Sequence, residues 1–104
     1  MTDVSVEDGV IEAVGRGLDA PVVVEGEGLF LLPGALDAHV HYNEPGRTDW
    51  EGWATGSLAS AAGGATSVFE MPLNASPPTL DAESFALKRE AAEASSVCLL
   101  YTSD

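Results

Sequence analysis

Residues 32–42 read Leu32-Pro33-Gly34-Ala35-Leu36-Asp37-Ala38-His39-Val40-His41-Tyr42, and this stretch decides the fold. A Pro-Gly pair ends the apolar run Phe30-Leu31-Leu32, and an alternating segment follows it. Successive side chains of a strand point to opposite faces. Asp37, His39 and His41 therefore share one face, and Leu36, Ala38, Val40 and Tyr42 share the other. Two imidazoles two residues apart on a strand can reach one ion, and neutral imidazole is the commonest metal ligand. Two histidines do not complete a site, because zinc takes three protein ligands in catalytic sites and four in structural ones. The other reading is a pair of ordinary half-buried polar residues. These are the only two histidines in the chain, and they stand beside a Gly/Pro loop, Asn43-Glu44-Pro45-Gly46-Arg47.

Downstream, Thr48-Asp49-Trp50-Glu51 matches a capping box with Thr48 as N-cap. It predicts a helix running to Ala62, with Trp50, Trp53, Ala54, Ser57, Leu58 and Ala61 on one face. Gly63-Gly64 supplies the stop. Residues 65–71 read as a second strand ended by Pro72, and 73–78 as a loop. Thr79 or Asp81 can cap a second helix to about Ala94, with Phe85, Lys88/Arg89 and Ala92 along one stripe. Residues 97–102 read as a third strand. The order after residue 35 is β-α-β-α-β, which argues for an α/β fold with a parallel sheet and right-handed crossovers. Upstream, residues 1–32 are glycine-punctuated. Val10-Ile11-Glu12-Ala13-Val14 and Val22-Val23-Val24-Glu25 are strand candidates for a small antiparallel sheet.

Composition excludes several classes of function. Across 104 residues there are 4 Lys+Arg and 17 Asp+Glu, a formal charge of −13. Nucleic-acid binding needs clustered basic residues, and an anionic membrane surface repels such a chain, so neither is expected as a partner. At 45% apolar residues the chain is too hydrophobic to be held disordered by charge. One cysteine, Cys98, permits no intrachain disulfide and reads as a core residue. No signal peptide or spanning segment is visible, so the expected location is the cytoplasm. The acid excess also suggests a salt-adapted source.

The segment from Leu32 to His41 resembles the first barrel strand of the cyclic amidohydrolases, the group of dihydroorotases, hydantoinases, dihydropyrimidinases and allantoinases. Asn43-Glu44-Pro45-Gly46-Arg47, Trp50-Glu51-Gly52, Thr55-Gly56, Ala61-Ala62-Gly63-Gly64, Thr66 and Glu70-Met71-Pro72-Leu73-Asn74 resemble the allantoinases most. Dihydroorotases carry arginine two positions after the second histidine, where this chain has Asn43.

The resemblance covers about residues 20–95. It implies a (β/α)8 TIM barrel, of which residues 33–97 are the start, preceded by strands of a small β-sandwich domain in residues 1–32. It also implies a binuclear divalent metal centre, usually zinc, with His39 and His41 on one ion. A bridging carbamylated lysine, two further histidines and an aspartate would complete it, and none has a position here; Lys88 stands too early and on the wrong element for the bridge. The implied activity is hydrolysis of a small-molecule cyclic amide, allantoin to allantoate, by a protein that is usually a homo-oligomer. The alternatives are dihydropyrimidinase/hydantoinase or dihydroorotase chemistry, or a non-catalytic scaffold that keeps the barrel.

Asp37, on the histidine face, reads either as a partner that orients an imidazole or as a carboxylate paired with backbone or a cation. Asn74, at the same barrel end, reads as a substrate contact by resemblance or as a turn asparagine. Glu44 and Arg47 read as an ion pair pinning their loop, Glu51 as a capping residue, and Trp50 and Trp53 as helix-packing residues. A full barrel takes about 250 residues, so the expectation is an N-terminal part of a longer enzyme, inactive alone. Residues 98–104 depart from the family pattern and read as a non-native tail, the alternative being a divergent third strand.

Overall fold

The computed structural model describes residues 1–97 and 99–102. The chain forms two compact units, Met1–Leu32 and Pro33–Asp104. In the first, β1 (Asp3–Glu7) pairs antiparallel with β2 (Val10–Gly15), with a register shift between Ser5 and Val6. Asp8 and Gly9 join them at φ 49° and 78°. Two central residues at positive φ suit a tight hairpin turn, and Asp-Gly is a favoured pair there. The Asp3 carboxylate accepts the Gly17 N–H at 2.7 Å and closes the base of the hairpin. The strand expected over residues 22–25 does not form. Val22, Val23 and Val24 are exposed and, among the described residues, pair with no other strand. β-Branched composition favours extended backbone, but a strand also needs a partner ladder.

The second unit is α/β. β3 (Ala35–Val40), β4 (Ala65–Glu70) and β5 (Leu99–Thr102) form a parallel sheet in that order. Parallel neighbours need long crossovers, supplied by α1 (Trp53–Ala62) and α2 (Ala82–Ser95). The β3–β4 register runs from Ala35↔Ala65 to Val40↔Glu70.

α1 begins four residues later than the capping-box pattern at Thr48 predicts. Its N-cap is Gly52, and the cap comes from elsewhere: Glu44 accepts the Trp53 N–H at 2.8 Å. A carboxylate at a helix N-terminus satisfies an orphan donor and meets the positive end of the helix dipole. A Cβ at position 52 would lie 3.0 Å from that carboxylate oxygen, which explains the glycine. Trp50 therefore lies outside the helix and is 63% exposed, under the Arg47 guanidinium at 4.7 Å from its ring centroid. The expected Glu44–Arg47 ion pair gives way to these two contacts, and Glu51 accepts from the Thr55 hydroxyl instead of capping. The buried face is Trp53, Gly56 and Ser57, while Leu58, expected on it, is exposed.

Of the two candidate caps, Thr79 and Asp81, α2 starts from Asp81. Its carboxylate accepts the Ser84 N–H at 2.8 Å, and the Ser84 hydroxyl accepts the Asp81 N–H at 3.1 Å. The Ser84 backbone N–H and then the Ser84 hydroxyl, both donating to the Asp81 carboxylate, hold that carboxyl below its usual pKa. The helix buries Ser84, Lys88 and Ala92, one residue per turn.

Tyr42, Trp53, Val68 and Ala92 form the core, with Val40 and Ala91 against it. Tyr42 and Trp53 meet edge to face, centroids 4.9 Å apart at 74°. Gly56 lies under the tyrosine, where a Cβ would come within 2.4 Å of the ring. The Ser57 hydroxyl accepts the Val97 N–H at 3.1 Å, tying α1 to the chain entering β5. Cys98 and part of the 98–104 segment read as a tail lie outside the described residues. Among the described residues, no helix is long and apolar enough to cross a membrane.

Candidate metal centre

The site forms where β3 and β4 release the chain into their loops. His39 is the penultimate residue of β3, and His41 is the first residue beyond it. Their Nε2 atoms converge to 3.2 Å, with ring centroids 5.1 Å apart and planes at 64°. His39 is exposed and His41 half-buried, so both are within reach of solvent. Nitrogens bound to one tetrahedral ion at about 2.0 Å lie about 3.3 Å apart, and the observed spacing of 3.2 Å matches that edge. The donor set therefore fits two ligands of a zinc-type ion. Among the described residues, no group of three or more His, Cys, Asp or Glu assembles into a metal site.

The loops are tied to each other. Met71 donates its backbone N–H to Val40 O at 3.0 Å, and Ser76 donates to Pro45 O at 2.8 Å. Asn43, which is buried, donates its backbone N–H to Glu51 O at 2.8 Å. This bracing brings Asn74 to the histidines, its side-chain amide 3.3 Å from His41 Nδ1. Asn74 is exposed and holds φ 76°, a conformation that asparagine tolerates better than most residues. Asp37 lies one step back on the same strand, where its carboxylate accepts the backbone N–H of His39 at 3.1 Å. That contact braces the strand beneath the first imidazole.

Sequence reasoning placed Lys88 on a helical stripe but did not pair it with Glu70, directly behind this edge. Glu70, the last residue of β4, and Lys88 of α2 are both 1% exposed, and Lys88 Nζ stands 2.7 Å from Glu70 Oε2. Burial pushes the Glu70 carboxyl up to about 7, against the opposing pull of the Lys88 ammonium and of the Tyr42 backbone N–H. The signal was available in the period. Glu70 follows Val68 by two on a strand, and Lys88 falls between Ser84 and Ala92 on a helical stripe.

No family model matches the chain. Curated relatives do. The chain is 61% identical over 97 residues to an allantoinase of Rubrobacter xylanophilus, covering 91% of this chain and 21% of that protein. It is 53% identical over 93 residues to an allantoinase of Bacillus velezensis, covering 88% and 20%. It is 49% identical over 94 residues to an allantoinase of Escherichia coli, covering 89% and 21%. The chain thus spans about a fifth of the length of the curated relatives it matches. Over about nine-tenths of its residues the chain is allantoinase-like, similar to one segment of each of these proteins.

Proposed function

We propose that the chain supplies the first part of a metal-dependent hydrolase that opens the hydantoin ring of allantoin to give allantoate. The observation that carries this reading is the 3.2 Å convergence of His39 Nε2 and His41 Nε2 at the C-terminal end of a parallel strand. In (β/α)8 barrels that end of the strands carries the active site. On this reading β3, α1, β4 and α2 are the opening βα units of a TIM barrel in residues 33–97. β1 and β2 belong to a small β-sandwich domain in residues 1–32. The protein works in the cytoplasm as a homo-oligomer.

His39 and His41 would hold one ion of a binuclear zinc centre. The bridging carbamylated lysine, two further histidines and an aspartate belong to sequence beyond this chain. Such a centre supplies Lewis-acid polarisation of a ring carbonyl and acidifies water to a pKa of about 7. The chain's own residues prepare the ligands. Each Nε2 must present its lone pair, so each ring must carry its proton on Nδ1. For His41, Nδ1 then donates to the Asn74 side chain, which meets it with its carbonyl oxygen; a half-turn of the amide exchanges its two ends. Asn74, on an exposed loop beside that ring, also stands where it can touch substrate. Lys88 takes no part in the bridge, because its ammonium is buried against Glu70. Asn43, in the place of the dihydroorotase arginine, is buried and leaves no cation there for a substrate carboxylate.

The test is an assay of the full-length protein on allantoin, dihydroorotate and dihydrouracil in parallel. The expected result is the highest kcat/KM on allantoin, with His41→Ala losing bound zinc and turnover together. Undiminished turnover in His41→Ala would overturn the reading.

A further inference from the structure

The contact between the Asn74 amide and His41 Nδ1 has little slack. Its length is 3.3 Å, and a side-chain pair at about 3.6 Å is no longer a hydrogen bond. The two residues stand on different loops, and Asn74 is exposed, so packing around the amide itself does not hold it there.

The backbone does. Pro45 O accepts the Ser76 N–H at 2.8 Å, and Pro72 O accepts the Thr79 N–H at 2.9 Å, which closes the base of the 73–78 loop. Ala75, between Asn74 and Ser76, is buried and anchors that loop. The contacts form a circuit. It runs from His41 along one loop to Pro45, across to Ser76, back two residues to Asn74, and across again to His41.

Gly46 stands at the crossing. Its φ is 88°, and a Cβ there would lie 2.2 Å from Ser76 O and 2.8 Å from Ser76 Cβ. The nearer atom is backbone and cannot swing aside. Non-bonded heavy atoms rest about 3.5 Å apart, so a side chain at position 46 would part the loops by about 1 Å. That exceeds the slack of the Asn74 contact.

We infer that Gly46 is a positioning residue: by letting the two loops meet at Ser76, it places the Asn74 amide on His41 Nδ1 and so fixes the imidazole that presents Nε2 to the ion. This role rests on the metal-site reading above. A glycine that served its turn alone would affect stability without acting through Asn74.

A double-mutant cycle on the full-length protein separates the two roles. Gly46→Ala is made in the wild-type and Asn74→Gly backgrounds. Zn2+ affinity is measured by calorimetric titration of the metal-free protein, with Tm alongside. Tm is expected to fall in both backgrounds. Zn2+ affinity is expected to fall about tenfold in the wild-type background, the scale for losing a group that orients a ligand. It should fall no further in Asn74→Gly, where the amide is already gone. Wild-type Zn2+ affinity in Gly46→Ala would overturn the role, as would wild-type affinity in Asn74→Gly. Equal losses in both backgrounds would overturn it too, because Gly46 would then act without Asn74.

If Gly46→Ala does not fold, Gly46→Asn takes its place in the cycle. Asparagine accepts a positive φ and brings the same Cβ, so the same losses are expected and the same results would overturn the role. His41→Ala is the control. If it binds Zn2+ as the wild type does, the metal reading itself fails. If it loses Zn2+ while Gly46→Ala keeps it, the positioning role alone fails.

Discussion

Lys88 Nζ lies 2.7 Å from Glu70 Oε2 with both side chains 1% exposed, so each charge depends on the other for solvation. Lys88→Met removes one partner and leaves a carboxylate buried between sheet and helix. Breaking a buried pair in this way costs about 3–5 kcal/mol. The lower end is expected here, because Glu70 can escape by taking a proton. Urea denaturation of Lys88→Met should show the loss, larger at pH 8 than at pH 5. A loss independent of pH would mean that the carboxylate is solvated after all.

The same carboxyl sets a pH dependence in the intact protein. Burial first of all raises Glu70 from its ordinary 4.5 to about 7 in the folded state. Between those values the folded protein holds a proton that the unfolded chain has released, so stability falls as pH rises. The contribution is present in full below the unfolded value and is lost as pH passes through about 7. Other carboxylates titrate too, so the measurement is a difference. The stability of wild type minus that of Glu70→Gln/Lys88→Met, followed from pH 4.5 to pH 8, should decline. A flat or rising difference would refute the assignment.

Gly56 offers a test in which two effects oppose. It lies within α1, where alanine is ordinarily better than glycine by about 1 kcal/mol. A Cβ there would meet the Tyr42 ring at 2.4 Å and 2.5 Å, and that ring is wedged between Trp53 and the Ser60 hydroxyl. Overpacking of this kind costs about 1–3 kcal/mol, and a ring with nowhere to move puts the cost toward the top of that range. Gly56→Ala should therefore destabilise the protein, with a lower urea midpoint. A higher midpoint would show that Tyr42 can yield.

What the sequence disclosed followed the range of the interaction concerned. β3, β4 and the parallel order were legible because strand alternation and βα spacing are local patterns. The start of α2 was legible to within two residues, Thr79 or Asp81, because its cap is local too: the partner Ser84 is three residues from Asp81. The start of α1 was misplaced because its cap, Glu44, reaches it from nine residues earlier, while Thr48 and Glu51 carry a matching pattern that the chain does not use. Trp50 then drew the expected helix face off its true line through Trp53, Gly56 and Ser57. Residues 22–25 have strand composition without a partner, which no local reading can detect. His39 and His41 were visible as a pair, but Glu70 was not. A charged residue in a strand reads as exposed until its counter-ion on another element is known.

Asn74 carries two candidate roles that one pair of substitutions can separate. Its amide lies 3.3 Å from His41 Nδ1, and its backbone sits at φ 76°. Asn74→Gly removes the amide and keeps that backbone relaxed, while Asn74→Ala removes it and adds strain of about 1 kcal/mol or more. If the side chain orients His41, both variants should lose about tenfold in Zn2+ affinity, and only the alanine variant should lose stability. A glycine variant with unchanged Zn2+ affinity and a raised KM for allantoin would instead make Asn74 a substrate contact. The separation works because orienting a ligand changes the affinity of the substrate-free protein for Zn2+, and touching the substrate does not.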